Sequence, residues 1–243
     1  MAEAQTAAAE MIRPITPAFV MRLFYAFATL AFLSLAISVA GKWLGSSIAM
    51  AGHTDDRTIR EIVIGNNVLS IPSNAIRFER ARQSGIALRV DLYLRWPDLE
   101  GYSNAHRAAF NHEGGSRDIV FLTFEERMTS RGMSGRYAPI YSSLVLGDST
   151  PGPGGLEIHG FKPDSGYVDE VLAVGMRSGD DPFVARCLVG PSGENSLAPC
   201  ERDVHLGDNL SLVYRFPAHL LKDWRTVDAA IMAKAIGYLQ TGR

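Results

Sequence analysis

A chain of 243 residues with 24 basic and 26 acidic side chains carries a formal charge of −2. It therefore lacks both the basic surplus of a nucleic-acid binder and the acidic tail of a histone-type or metal-buffering partner. Its two cysteines have no second Cys or His pair at ligand spacing beside them, which argues against a zinc centre, and the length beyond residue 58 suffices for one domain with a real core.

Residues 1–18 begin Ala-rich and read as a disordered cytoplasmic tail. Residues 23–40 then form an apolar run of 18 residues without a charge. Residues 19–41 as a helix would extend about 34 Å, enough to cross a hydrocarbon core of roughly 30 Å. A transmembrane helix is predicted over 19–44, with the bilayer as its partner. Arg22 at one edge, and Lys42 and Trp43 at the other, serve as interfacial anchors. Ala49-Met50-Ala51 before Gly52 offers a competing signal-peptide cleavage pattern. Arg13 and Arg22 precede the run and only Lys42 closely follows it, which favours a cytoplasmic N-terminus. Residues 45–57 read as a juxtamembrane linker.

The remainder, 58–243, reads as a β-rich extracytoplasmic domain. Residues 59–64 and 68–71 flank Gly65-Asn66-Asn67, the composition of a hairpin turn. Arg77, Arg80 and Arg82 cluster next. In residues 86–96, Ile86, Leu88, Val90, Leu92, Leu94 and Trp96 alternate with polar neighbours, predicting one strand with a buried apolar face. Its other face, Arg89, Asp91, Tyr93 and Arg95, is the candidate interaction face, because Tyr and Arg are enriched where proteins meet. Residues 119–124 are apolar throughout and predict a central strand. Strands are also expected at 140–146, 156–161, 168–176, 183–189 and 210–216, with a surface loop at 148–155. His159 is expected to face solvent.

Cys187 and Cys200 are separated by turn-forming residues, so two strands folding back would bring both sulfurs together as a disulfide in an oxidising compartment. Over 218–240, Leu220, Trp224, Val227, Ile231, Ala235 and Tyr238 recur at helical spacing. They predict an amphipathic helix with Lys222, Asp223, Arg225, Asp228 and Lys234 on its polar face. The fold class is thus mainly β: one membrane helix, then an antiparallel sandwich or open barrel with a C-terminal helix.

No nucleophile elbow, phosphate-binding loop or C-x-x-C motif occurs. His106 and His112 with Glu113 are spaced by six residues, poorly suited to sharing a metal. Asp98 with Glu100, and Asp180 with Asp181, carry no specific geometry for acid–base work. No catalytic, cofactor-binding or metal-binding residue is assigned. The expected function is a noncatalytic interaction or assembly module, anchored in an inner membrane with its domain in the periplasm beside a protein partner. The alternative is a binding domain for a lipid, glycan or other apolar ligand between the apolar faces of 86–96 and 119–124. A metal-dependent hydrolase using His106 and His112 is the weakest reading.

Overall fold

The computed structural model describes residues 17–50, 52–177 and 181–240; residues 40–50 are described as helix backbone without side chains. Most of the expected tail therefore lies outside the described residues. So do the side chains of Lys42 and Trp43, the Ala49-Met50-Ala51 pattern and Asp180. The described residues fall into two units, separated at Gly52.

The first unit is helix α1 (Pro17–Met50). Within it, 23 residues from Pro17 to Val39 are long and apolar enough to cross a membrane, and none of them is buried. The Thr29 hydroxyl donates to the Tyr25 carbonyl at 2.8 Å, satisfying this polar side chain within the apolar stretch through the helix itself.

The second unit is mostly β. Strands β1 (Ile59–Ile64) and β2 (Asn67–Pro72) form the expected hairpin. The alternation over 86–96 does not make one continuous strand. Gly85 adopts φ +138, and β3 (Gly85–Ile86) pairs parallel with β1 before β4 (Arg89–Arg95) begins in another sheet. Ile86 and Leu88 therefore stand outside the core at 90% and 84% exposure, whereas Val90, Leu92 and Leu94 are buried as expected.

The main sheet adds β5 (Ile119–Glu126), β6 (Val145–Pro151), β7 (Glu157–Phe161), β8 (Glu170–Gly175), β9 (Phe183–Leu188), β10 (Cys200–Leu206) and β11 (Leu210–Phe216). Its order is β4-β5-β11-β10-β9-β8-β7-β6, and every neighbouring pair is antiparallel. The sheet is not closed into a barrel: β4 and β6 remain its two ends, and the second sheet has only three strands. Residues 140–144, expected to begin a strand over 140–146, are helical, and β6 takes in residues 148–151 of the region read as a loop. The periodicity signal fails there because β6 is an edge strand with every residue after Val145 exposed, so neither face selects apolar side chains.

One face of the main sheet carries the core. Leu92, Leu94, Leu122, Phe124, Leu212 and Tyr214 pack there against Ile62, Ile64, Leu69 and Ile71 of the small sheet, and against the C-terminal segment. That segment is a 3-10 stretch (Ala218–Asp223) followed by helix α2 (Trp224–Tyr238), which buries Trp224, Val227, Ile231, Ala235 and Tyr238. The Trp224 ring sits so close to Gly175 that an added Cβ would lie 2.6 Å from it. Gly175→Ala is expected to cost about 1–3 kcal/mol by overpacking, with a shift in tryptophan emission as the ring moves. Unchanged stability and emission would show that α2 has slack here.

The opposite face is covered over half its width. Met133 and Tyr141, from the helical segment 133–144, pack on Val145, Phe161, Leu172, Val174 and Val184 at the β6–β9 end. On the β4-β5-β11-β10 half, the described residues cover the Tyr93 end of β4 with His53, Tyr102 and Phe110 and leave most of the rest open.

Candidate functional site

The uncovered half-face is a groove of about 620 Å³. Its floor comes from outward-facing residues of four strands, and its walls from Arg77 and from residues 195–198 of the β9–β10 connection. Strand alternation makes the floor polar, because every second residue points away from the core. One cross-strand row runs Phe121, Arg215, Glu201, Arg186 in direct register. A second places Asp91 opposite Thr123 and Thr123 opposite Val213.

Most charges on this floor are paired. Arg89 donates to Asp91, and the Thr123 hydroxyl also donates to Asp91 at 2.8 Å. Arg186 reaches Glu201 at 2.9 Å and Glu170 at 3.4 Å, and Arg215 lies 4.0 Å from Glu201. The hydrogen bond to Asp91 raises the pKa of Arg89. For Arg186, burial pulls the pKa down, but Glu170 and Glu201 outweigh it and leave it raised. Arg77 stacks its guanidinium over the Phe121 ring at 4.9 Å. The result is a wide polar surface of fixed, two-signed charge with one aromatic patch.

Of the sequence-derived interaction face, Arg89 and Asp91 line this groove. Tyr93 does not present itself: it is 3% exposed, beneath a ring cluster formed by His53, Tyr102 and Phe110. Burial pushes the Tyr93 hydroxyl up to about 12. Arg95 pairs with Asp98 at the strand's end. Reading one strand alone missed Arg77, Phe121, Thr123, Glu125, Glu201 and Arg215, because the groove exists only once four strands are in register. The outward position of Arg215 among inward Leu212, Tyr214 and Phe216 was the available clue.

The linker reading for residues 45–57 also meets specific contacts. His53 stacks on Tyr102 at 4.6 Å and 11°, and its Nδ1 lies 3.0 Å from the Tyr93 hydroxyl. Asp55 accepts from Asn104, and the Gly52 carbonyl accepts from Arg82 at 2.7 Å. Residues 52–57 thus belong to the second compact unit.

Burial depresses the pKa of His53, the positive charge of Arg82 and neighbouring His112 act the same way, and a hydrogen bond with Asn111 opposes them. A histidine whose folded pKa lies below its unfolded value of 6.5 favours folding fully above that value. Its contribution is lost as pH falls through the folded pKa. His205, also depressed by burial, adds in the same direction. Urea-derived stability should therefore decline as pH drops from about 7 to about 5, and less steeply in His53→Gln. Identical slopes for the two chains would remove His53 as a contributor.

The remaining histidines and acids do not converge. His106 pairs with Ser103, and His112 lies 3.4 Å from the Ser116 carbonyl. Among the described residues, no group of three or more His, Cys, Asp or Glu is placed to hold a metal ion. Glu100 is engaged with Lys234 at 2.9 Å while Asp98 holds Arg95. His159, expected at the surface, is 8% exposed, and neither ring nitrogen has a hydrogen-bond partner. It lies between Ser149 of β6 and Leu172 of β8, on the face that the 133–144 segment covers. The interior proposed for an apolar ligand is filled: Val90, Leu92, Leu94, Val120, Leu122 and Phe124 are all packed in the core.

Cys187 and Cys200 face each other in register on β9 and β10, with their sulfurs at disulfide distance.

No protein-family model matches the chain, and no curated protein matches it. Among solved structures it is similar to Smlt3025, an immunity protein of the Stenotrophomonas maltophilia type IV secretion system. That match has 15% identity and a TM-score of 0.49, over 78% of this chain and 96% of that one. It is also similar to the Neisseria meningitidis iron-regulated outer membrane lipoprotein FrpD, at 10% identity and a TM-score of 0.43, over 76% of this chain and 97% of that one. Likenesses this remote carry no function to this chain.

Proposed function

We propose that this protein is a membrane-anchored, noncatalytic interaction module, an accessory subunit whose β domain is held near an inner membrane on its periplasmic side. The helix over residues 19–44 is the anchor, the N-terminus is cytoplasmic, and the partner is a membrane or periplasmic protein. The observation that carries this reading is the uncovered half-face of the main sheet, a groove with paired charges on its floor. Its opposite half is covered by the chain's own residues 133–144. A floor of two signs with an Arg77–Phe121 stack suits a folded protein surface better than a small ligand of one charge.

The test is site-specific crosslinking in membranes. A photoreactive amino acid at Thr123, on the groove floor, should give one defined protein adduct. The same probe at exposed Val168 should not. Arg215→Glu together with Arg89→Glu should reduce the Thr123 adduct by roughly tenfold, as expected when like charges meet at an interface. Equal adducts from both positions, or no adduct from Thr123, would overturn the reading.

A further inference from the structure

Residues 77–89 carry a second surface, of which only Arg77 and Arg89 also line the groove. Ala87 packs against the core, while its neighbours Ile86 and Leu88 point away from it. Two aliphatic side chains at 90% and 84% exposure, two positions apart, form a small apolar tip, with Phe78 a further 41% exposed. Four arginines lie within the same stretch, Arg77, Arg80, Arg82 and Arg89, against one acid, Glu79. Among the described residues, neither Arg77 nor Arg80 has a carboxylate partner, so their charge is not cancelled locally. Arg82 is committed elsewhere: it donates to the carbonyls of Ile76, Arg77 and Gly52. Gly52 is the first residue of the domain and follows the helix-bearing unit directly in sequence. The first residue of the domain is therefore held against this loop by Arg82.

We propose that residues 77–89 dock the domain on an anionic bilayer surface. Ile86 and Leu88 enter the headgroup layer, and Arg80 sits among the lipid phosphates. Exposed aliphatic residues beside an uncompensated cation, as Arg80 lies beside Ile86, are the combination that interfacial binding requires: apolar area to leave water and charge complementary to the lipid. The attachment at Gly52 argues for a lipid surface over a soluble partner, because the tether keeps this loop at high effective concentration near the membrane holding the helix. The proposal rests on the membrane-anchor reading above.

The test reconstitutes the full chain into vesicles of phosphatidylcholine with or without phosphatidylglycerol. Leu88→Cys and, separately, Val168→Cys carry an environment-sensitive fluorophore, and flotation measures membrane association of the chain in the same samples. In phosphatidylglycerol vesicles, the label at position 88 should shift to the blue and lose about half its emission to brominated acyl chains, as expected for a residue held at the headgroup–acyl boundary. The label at 168 should not respond. Arg80→Glu and Ile86→Ser, both at exposed positions, should bring the response at 88 down to that at 168 without altering the melting temperature. A chain that floats with the vesicles while position 88 responds no more than 168 overturns the docking proposal and leaves the anchor standing. A chain that does not float overturns both. Equal responses at 88 in neutral and anionic vesicles would remove Arg80 from the mechanism and with it the proposal as stated.

Discussion

Asp228→Ala should destabilise the domain by about 3–5 kcal/mol, the cost of leaving a buried charge without its partner. Asp228 lies on α2, yet it is 5% exposed, and its carboxylate accepts from Arg202, Arg177 and the Tyr214 hydroxyl. Arg202 is itself buried and also donates to Ser134 at 2.9 Å and to the Val184 carbonyl at 3.0 Å. One carboxylate therefore ties α2 to β10 and β11 and, through Arg202, to β9 and the segment over the other sheet face. Burial holds the Tyr214 hydroxyl protonated, well above its ordinary range, so it remains a donor. Removing the acceptor strands a guanidinium and a phenol in the core. For a domain of this size the loss corresponds to a fall in melting temperature of roughly 10 °C. Asp228→Asn, which keeps a carbonyl oxygen for one donor, should fall between. A double-mutant cycle with Arg202→Met separates the pair from its surroundings, since an apolar replacement of both charges costs far less than breaking one. If Asp228→Ala melts with the wild type, the cluster does not hold α2 in place.

Reduction of the Cys187–Cys200 pair, or its replacement by alanines, should cost about 3 kcal/mol through the loop-closure entropy of the unfolded chain. The expected effect is also local. The β9–β10 ladder registers only two residue pairs, Cys200 with Cys187 and Glu201 with Arg186, whereas β10–β11 and β5–β11 register seven and six. The eight-stranded sheet is therefore narrowest at the seam between its two halves, and the cysteine pair sits in that seam. Hydrogen exchange in the reduced protein should rise first in β9 and at the start of β10, before the β4-β5-β11 ladder opens. Uniform loss of protection across the sheet, or no change in melting temperature, would show that the cysteines do not reinforce the seam. The same seam borders the groove, whose wall is residues 195–198. Partner adducts at Thr123 should thus weaken on reduction.

Local patterns in the chain were sufficient for several elements. An uncharged apolar run, a Gly-Asn-Asn turn between alternating segments, and apolar residues at helical steps after residue 218 are each complete within a short window, so α1, the β1–β2 hairpin and α2 were legible without tertiary information. The two cysteines marked a strand pair for a similar reason: a turn-rich spacer of that length brings its ends together.

What the pattern does not contain is the identity of whatever covers each face. Alternation shows that Arg89, Asp91, Tyr93 and Arg95 share a side of β4, but three different fates await them: a groove floor, a ring cluster under His53 and a strand-end ion pair. Likewise the spacing that assigns Ile86 and Leu88 to a buried face holds only while the strand is continuous, and a switch of sheets at β3 leaves them in solvent. Asp228 falls on the polar side of a helical wheel and is buried because Arg202, from a strand 26 residues away in the chain, meets it there. Side-chain period is a property of one segment, whereas burial is a property of the segments packed against it. The sequence alone therefore determined which residues travel together on a face, and the tertiary packing decided which faces were closed and which was left open.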